Sequence, residues 1–197
     1  MSKRDLKKYL ASLDKDQIEE QFLELYDKFT EVKIYYDFVF NPKEEKLVND
    51  AKLKIANEYF PVKSKRAKLR RSIAQKYIKH FLLLGVDPFA VADLMFFTIE
   101  TAQRYSSKRE MRYASFYKSM LNSFHQAVNY VISNGILPDF KDRIAVVYLE
   151  VLRQKWDNRY EFEAIVAPLN LETNANLNKD STNPVNILKS KIWKFGK

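Results

Sequence analysis

Apolar residues recur at helical spacing along most of the chain. From Ser2 to about Leu169 they return at steps of three and four, which places them on one face of an α-helix. The clearest run starts after Asp14, and its opposite face carries acidic residues that predict a solvated stripe. The apolar positions form a heptad seam: Ile18, Phe22, Leu25, Phe29, Val32, Tyr36 and Val39. The acidic positions are Glu20, Glu24, Asp27 and Glu31.

Capping residues divide this periodic pattern into separate helices. Asp14 with Gln17 is a capping box, Asn41-Pro42 and Asp87-Pro88 are helix starts, and Gly85 is a helix stop. The predicted helices cover about 3–12, 14–39, 42–59, 67–84, 88–105, 109–133 and 138–160, with a further turn near Pro168.

These helices predict an all-α fold with about seven helices in antiparallel hairpins. With only three glycines in 197 residues, a hairpin-rich β protein is disfavoured. Two stretches, 85–88 and 135–138, share the pattern glycine, apolar residue, any residue, proline. They fit a short α-solenoid, but they fit equally an irregular helical bundle, in which glycine ends one helix and proline starts the next.

Composition divides the chain into two parts. Residues 1–168 are predicted to form a single helical domain, and 169–197 an Asn-rich linker with a short basic amphipathic tail. The tail can dock on its own domain or contact a partner or a membrane. The longest apolar stretches are too short to cross a bilayer. The absence of cysteine and the charged start of the sequence predict a cytoplasmic protein.

Nearly all of the excess positive charge lies in one segment. The net charge is +9, and the segment from Pro61 to Leu84 holds eight basic residues and no acidic one. Six of them are predicted to contact phosphate or another anion: Lys63, Lys65, Lys68, Arg71, Lys76 and Lys79. Arg66 and Arg70 lie nearer the apolar flank, where ion pairs can bury them. The alternatives are an acidic protein partner, a solvated face, or packing beside the acidic stripe.

No catalytic, cofactor-binding or metal-binding residues are predicted. The three glycines allow no phosphate-binding loop, and His80 and His125 lack the spacing of a metal site. His125 can act as a general base only if the fold brings it to a carboxylate such as Asp93 or Glu100.

Several blocks together resemble a family of uncharacterised bacterial helical proteins, classed as a domain of unknown function. The likeness covers about residues 1–165 and implies a single cytoplasmic helical domain. It supplies no activity, cofactor or catalytic residue that can be carried over to this chain. The blocks are Lys3-Arg4-Asp5-Leu6-Lys7-Lys8-Tyr9-Leu10, Tyr35-Tyr36-Asp37-Phe38-Val39-Phe40-Asn41-Pro42, Gly85-Val86-Asp87-Pro88-Phe89, Ala92-Asp93-Leu94-Met95, Ser115-Phe116-Tyr117-Lys118-Ser119-Met120-Leu121 and Asn134-Gly135-Ile136-Leu137.

The sequence therefore predicts a non-enzymatic cytoplasmic binding or adaptor domain. Its basic helix, about 63–79, is expected to engage nucleic acid or an acidic protein. Two alternatives stay open, namely an enzyme with an unrecognised site in a helical groove and a structural homodimer that forms through the 18–39 heptad seam.

Overall fold

Every regular element in the described part of the chain is helical. The computed structural model describes residues 2–63, 66–109 and 111–171, which form nine α-helices and one short 3₁₀ turn. This confirms the all-helical prediction. The helices are α1 Lys3–Ala11, α2 Lys15–Lys28, α3 Thr30–Phe40, α4 Glu44–Tyr59, α5 Arg71–Leu84, α6 Pro88–Ser106, α7 Ala114–Ser133, α8 Leu137–Arg153 and α9 Arg159–Val166, and the 3₁₀ turn is Ala167–Leu169.

The predicted count of about seven helices is too low because two predicted helices are broken. Phe29 leaves the helical conformation, with φ −116° and ψ 112°, so the helix predicted from 14 to 39 is α2 and α3. The helix predicted from 138 to 160 ends at Arg153, near Lys155 in the left-handed conformation at φ 53°. The heptad spacing continues across Phe29, so periodicity alone does not reveal that break.

Two of the predicted helix starts are confirmed and others shift. The Asp14 carboxylate accepts from the Gln17 N–H at 2.8 Å, and the Asp87 carboxylate accepts from the Ala90 N–H at 3.2 Å. By contrast, α4 starts at Glu44 rather than Pro42, α5 at Arg71 rather than about residue 67, and α7 at Ala114 rather than about 109. Ahead of α5, Leu69 has φ 54°, a left-handed conformation that a helix does not accommodate.

The core is centred on α6. This helix packs against α4, α5, α7 and α8, and eleven of its 19 residues are buried, which is the pattern of a helix covered on most sides. At one end of the core the fully buried Trp156, which follows α8, makes edge-to-face contacts with Phe116 of α7 and Phe162 of α9.

The first three helices are built differently, and we call α1–α3, residues 3–40, the N-terminal module. None of the residues in these helices is buried. The module meets the rest of the domain through α3, which contacts α5, and through Phe38, which packs against the core.

Two predictions concern the chain outside this core. Within the described ranges, no helix is long and apolar enough to cross a membrane. The predicted linker and basic tail, 169–197, lie outside the described residues except for Leu169–Leu171.

Candidate nucleic-acid interface

The basic segment is a loop followed by a helix, and the end of α4 holds the loop in place. The N–H groups of Lys68 and Leu69 both donate to the backbone carbonyl of Glu58, at 3.0 and 3.1 Å. Leu69 itself has a left-handed backbone, with φ 54°. The loop therefore has a defined path into the first turn of α5.

Arg70 completes this attachment through its side chain. Its guanidinium binds the Glu58 carboxylate with two parallel hydrogen bonds, 2.9 Å from Nε and 2.8 Å from Nη2. These bonds, more than any other effect, hold the pKa of Glu58 below its ordinary value, although burial acts in the opposite direction. The ion pair predicted for Arg70 is present, and the Arg70 side chain stays half exposed.

Arg71 is also used within the fold. It is half-buried, its Nε donates to Ser123 Oγ at 2.7 Å, and its Nη2 donates to Gln126 Oε1 at 3.3 Å. Burial lowers the pKa of this guanidinium, which stays far above neutral pH. Arg71 therefore joins α5 to α7, which leaves it less able to contact a ligand than an exposed lysine.

Four of the predicted lysines are exposed to solvent. Lys63 and Lys68 lie in the loop, and Lys76 and Lys79 lie on the face of α5 opposite its buried residues. None of the four forms an ion pair within the described residues. Lys65 lies outside the described residues, and Arg66 is exposed.

Helix α7, to which Arg71 is hydrogen-bonded, has no acidic residue, and neither does α5. The stretches 61–86 and 111–138, which contain α5 and α7, include no aspartate or glutamate. Four exposed residues of α7 carry amide or imidazole groups, and one of them, Gln126, accepts a hydrogen bond from Arg71. These residues are Asn122, His125, Gln126 and Asn129.

A second charged cluster, which the sequence did not reveal, joins α4, α6 and α8. Arg143 of α8 binds Glu100 through two nitrogens, at 2.6 and 3.0 Å, and binds Asp93 at 2.7 Å. Lys52 of α4 reaches the other oxygen of Asp93 at 2.5 Å. Asp93 and Glu100 are seven residues apart on one face of α6, but their partner lies 43 or more residues away in sequence.

The oppositely charged groups of this cluster shift one another's pKa so that both Asp93 and Arg143 stay charged. Burial alone would raise the pKa of Asp93, but Arg143 and Lys52 outweigh burial and hold that pKa below its ordinary value. Burial would lower the pKa of Arg143, and the two carboxylates more than reverse this effect. The Arg143 guanidinium also lies over the Phe96 ring, 5.5 Å from its centroid. The cluster therefore holds three helices together.

The fold does not bring His125 to Asp93 or Glu100. His125 is exposed on α7, and its Nε2 is 3.1 Å from the side-chain nitrogen of Asn129, whereas both carboxylates are bound to Arg143. In the part of the chain that the structure describes, no group of three or more potential metal-ligating side chains occurs.

Three residues of the acidic stripe, Glu20, Glu24 and Asp27, lie on α2 and line a shallow depression, whereas Glu31 lies on α3. The lining residues are Asp16, Glu19, Glu20, Leu23, Glu24 and Asp27. Among the described ion pairs, none joins this stripe to α5. The two charged surfaces therefore do not neutralise each other through direct pairs there.

A protein-family model matches most of the chain. Residues 1–170 match the model of a family described as a family of unknown function (DUF6155), which confirms the resemblance to an uncharacterised domain. No curated protein and no solved structure matches the chain.

Proposed function

The chain belongs to this family of unknown function, and we propose that it is a non-enzymatic binding domain that holds the phosphate backbone of nucleic acid on exposed lysines around α5. Lys63, Lys68, Lys76 and Lys79 carry the positive charge, and α7 supplies neighbouring polar groups. Lysine and amide side chains are common partners of phosphate oxygens, and such contacts position a backbone without reading its sequence.

The observation that carries this proposal is the absence of competing carboxylates. The four lysines form no ion pair among the described residues, and neither α5 nor α7 contains an acidic residue. A field of one sign attracts a polyanion over a longer range than a surface of mixed charge. Each phosphate that a lysine neutralises also releases counterions, which favours binding at low salt.

The arrangement of the helices supports a rigid platform for this surface. The strongest contacts join each helix to the next one or the next but one, as α6 does with α4, α5, α7 and α8. An irregular bundle and a short α-solenoid built from helix pairs both allow this pattern.

The test is binding of short fluorescent single- and double-stranded DNA and RNA at several salt concentrations. The surface variant is Lys68→Gln/Lys76→Gln/Lys79→Gln. The matched control, Lys46→Gln/Lys54→Gln/Lys141→Gln, removes the same charge from exposed residues elsewhere. We expect the logarithm of the wild-type affinity to fall linearly with the logarithm of salt. In the surface variant, the slope of log affinity against log salt concentration should be shallower by about one for each lysine replaced.

Two results would contradict the proposal. One is the absence of binding at low salt, and the other is an equal loss of affinity in the surface variant and the control. If polyglutamate binds at α5 and nucleic acid does not, the partner is an acidic protein instead.

A further inference from the structure

An exposed aromatic ring lies at the end of α4, beside the basic loop that leads to α5. Phe60, the residue after α4, is 40% exposed, and its ring contacts the Tyr105 ring with centroids 5.9 Å apart. Two residues earlier, the Glu58 carbonyl accepts from the N–H of Lys68 at 3.0 Å, and the Glu58 carboxylate is paired with Arg70. The ring is therefore held close to the point where this loop is attached to α4.

Tyr105 also holds a cation from a second loop. The Arg109 guanidinium lies over the Tyr105 ring, 5.1 Å from its centroid, and its Nη1 donates to the Tyr105 hydroxyl at 3.1 Å. Tyr105 is buried near the end of α6, so Phe60 and Arg109 both lie against one fixed ring. The loop that follows α4 and the loop that follows α6 are therefore joined at this tyrosine.

The second loop is basic as well. Residues 104–118 contain five basic residues and one acidic residue. Lys108, Arg109 and Arg112 are exposed, and none of them forms an ion pair within the described ranges. The helix dipole does not account for all of them, because Arg112 precedes the start of α7, where a helix favours negative charge. Two basic loops therefore adjoin the Phe60 ring, one through Glu58 and the other through Tyr105.

We propose that this surface binds single-stranded nucleic acid, with an unpaired base stacked on the Phe60 ring and the neighbouring phosphates held by exposed cations of both loops. This inference rests on the proposed function and narrows it from nucleic acid in general to unpaired strands. Every base offers a flat face to an aromatic side chain, and a positively charged surface holds the strand beside it. A duplex would first have to be unstacked, which costs energy.

A ring with similar packing elsewhere in the chain has the opposite charge around it. Phe89, at the start of α6, is 46% exposed, and its ring centroid lies 6.1 Å from that of Phe140. It is two residues from Asp87, whose N–H donates to the Glu44 carboxylate at 3.4 Å. A strand of phosphates is repelled by these carboxylates and attracted by the cations beside Phe60.

The experiment compares two single strands of equal length and equal charge, oligothymidine and an abasic strand with the same phosphates. We expect the wild type to bind oligothymidine about fivefold or more tightly than the abasic strand, because one stacked base contributes at least this much. Both strands release the same number of counterions, so the slope of log affinity against log salt concentration should be equal for the two.

Substitutions at Phe60 assign the preference to its ring. The variant Phe60→Leu keeps an apolar side chain but should bind the two strands equally, and its loss of affinity should be confined to strands with unpaired bases. Phe60→Trp should keep the preference, because its larger ring can still stack. The matched control Phe89→Leu should also keep it. Circular dichroism establishes that each variant is folded, and the comparison of strands on the wild type needs no variant.

The outcomes separate this inference from the proposed function. Equal affinity of the wild type for both strands would overturn the inference and leave phosphate binding by the lysines intact. A preference that Phe60→Leu retains, or an equal weakening of duplex binding by that variant, would also overturn the inference alone. Binding of neither strand at low salt would overturn both.

Discussion

At the scale of single residues, the basic segment divides its cations between two tasks. Arg70 and Arg71 hold the domain together by binding Glu58 and Ser123, whereas Lys63, Lys76 and Lys79 project into solvent. The planar guanidinium group suits fixed, multiple hydrogen bonds, and the lysine ammonium suits a mobile contact with phosphate. The residue type at each position therefore matches the role that we assign to it.

The sequence predicted part of this division. The helical position of Arg70 near the apolar flank indicated an ion pair, and the pair with Glu58 is present. The bonds from Arg71 to Ser123 and Gln126 could not be predicted from the sequence, because these residues lie more than 50 positions away and only the fold brings them within reach of the Arg71 side chain.

The Tyr59 hydroxyl provides a prediction at the same scale. It is buried without a hydrogen-bond partner among the described residues, beside the Tyr105 ring. Burial, reinforced by the charge of Glu58, raises the pKa of Tyr59 to about 12. An unfolded tyrosine ionises near pH 10, so the folded state loses stability as the pH rises from about 10 to about 12.

We therefore expect Tyr59→Phe to remove one part of the alkaline destabilisation. Between about pH 8 and about pH 11, the free energy of unfolding of the wild type should fall by roughly 1–1.5 kcal/mol more than that of the variant. Urea unfolding of both proteins across this range measures the difference. Parallel loss of stability in the two proteins would show that Tyr59 ionises normally.

At the scale of helices, the sequence predicted elements better than their junctions. Asp87 and Gly85 bound α6 and α5 as predicted, because a capping carboxylate and a glycine at φ 71° are local features. The bend at Phe29 was missed because it preserves the apolar spacing, and the contacts that favour it, such as Phe22 with Tyr36, exist only after the chain has bent.

The charged cluster between α4, α6 and α8 gives a prediction at this scale. Replacing Arg143 by Met would leave Glu100 without its partner and Asp93 with Lys52 alone. We expect a loss of about 2–4 kcal/mol in the free energy of unfolding, toward the lower value because the carboxylates are a third exposed. Urea unfolding of Arg143→Met measures this loss.

The control for this prediction is the surface pair of Arg153 and Glu150. Arg153 is mostly exposed, so Arg153→Gln should cost no more than about 1 kcal/mol. A similarly small effect of Arg143→Met would show that the charged cluster does not hold the helices together.

At the scale of the whole molecule, charge is separated between two surfaces. Most of the acidic stripe lies on α2, whereas the lysines lie on α5, which packs against α6, and on the loop before it. The sequence predicted each surface separately. It did not predict that Arg71 links α5 to α7, which has no acidic residue, since that link depends on where the fold places distant helices. Nor did it show that no residue of α1, α2 or α3 is buried.

The most direct test of the binding proposal is lysine acetylation of the wild-type chain, read by mass spectrometry with and without saturating nucleic acid. We predict that bound nucleic acid protects Lys63, Lys68, Lys76 and Lys79 from acetylation. The exposed lysines elsewhere, such as Lys46 and Lys141, should react as before. Equal protection of all exposed lysines, or protection that spares α5, would contradict the assignment of this surface.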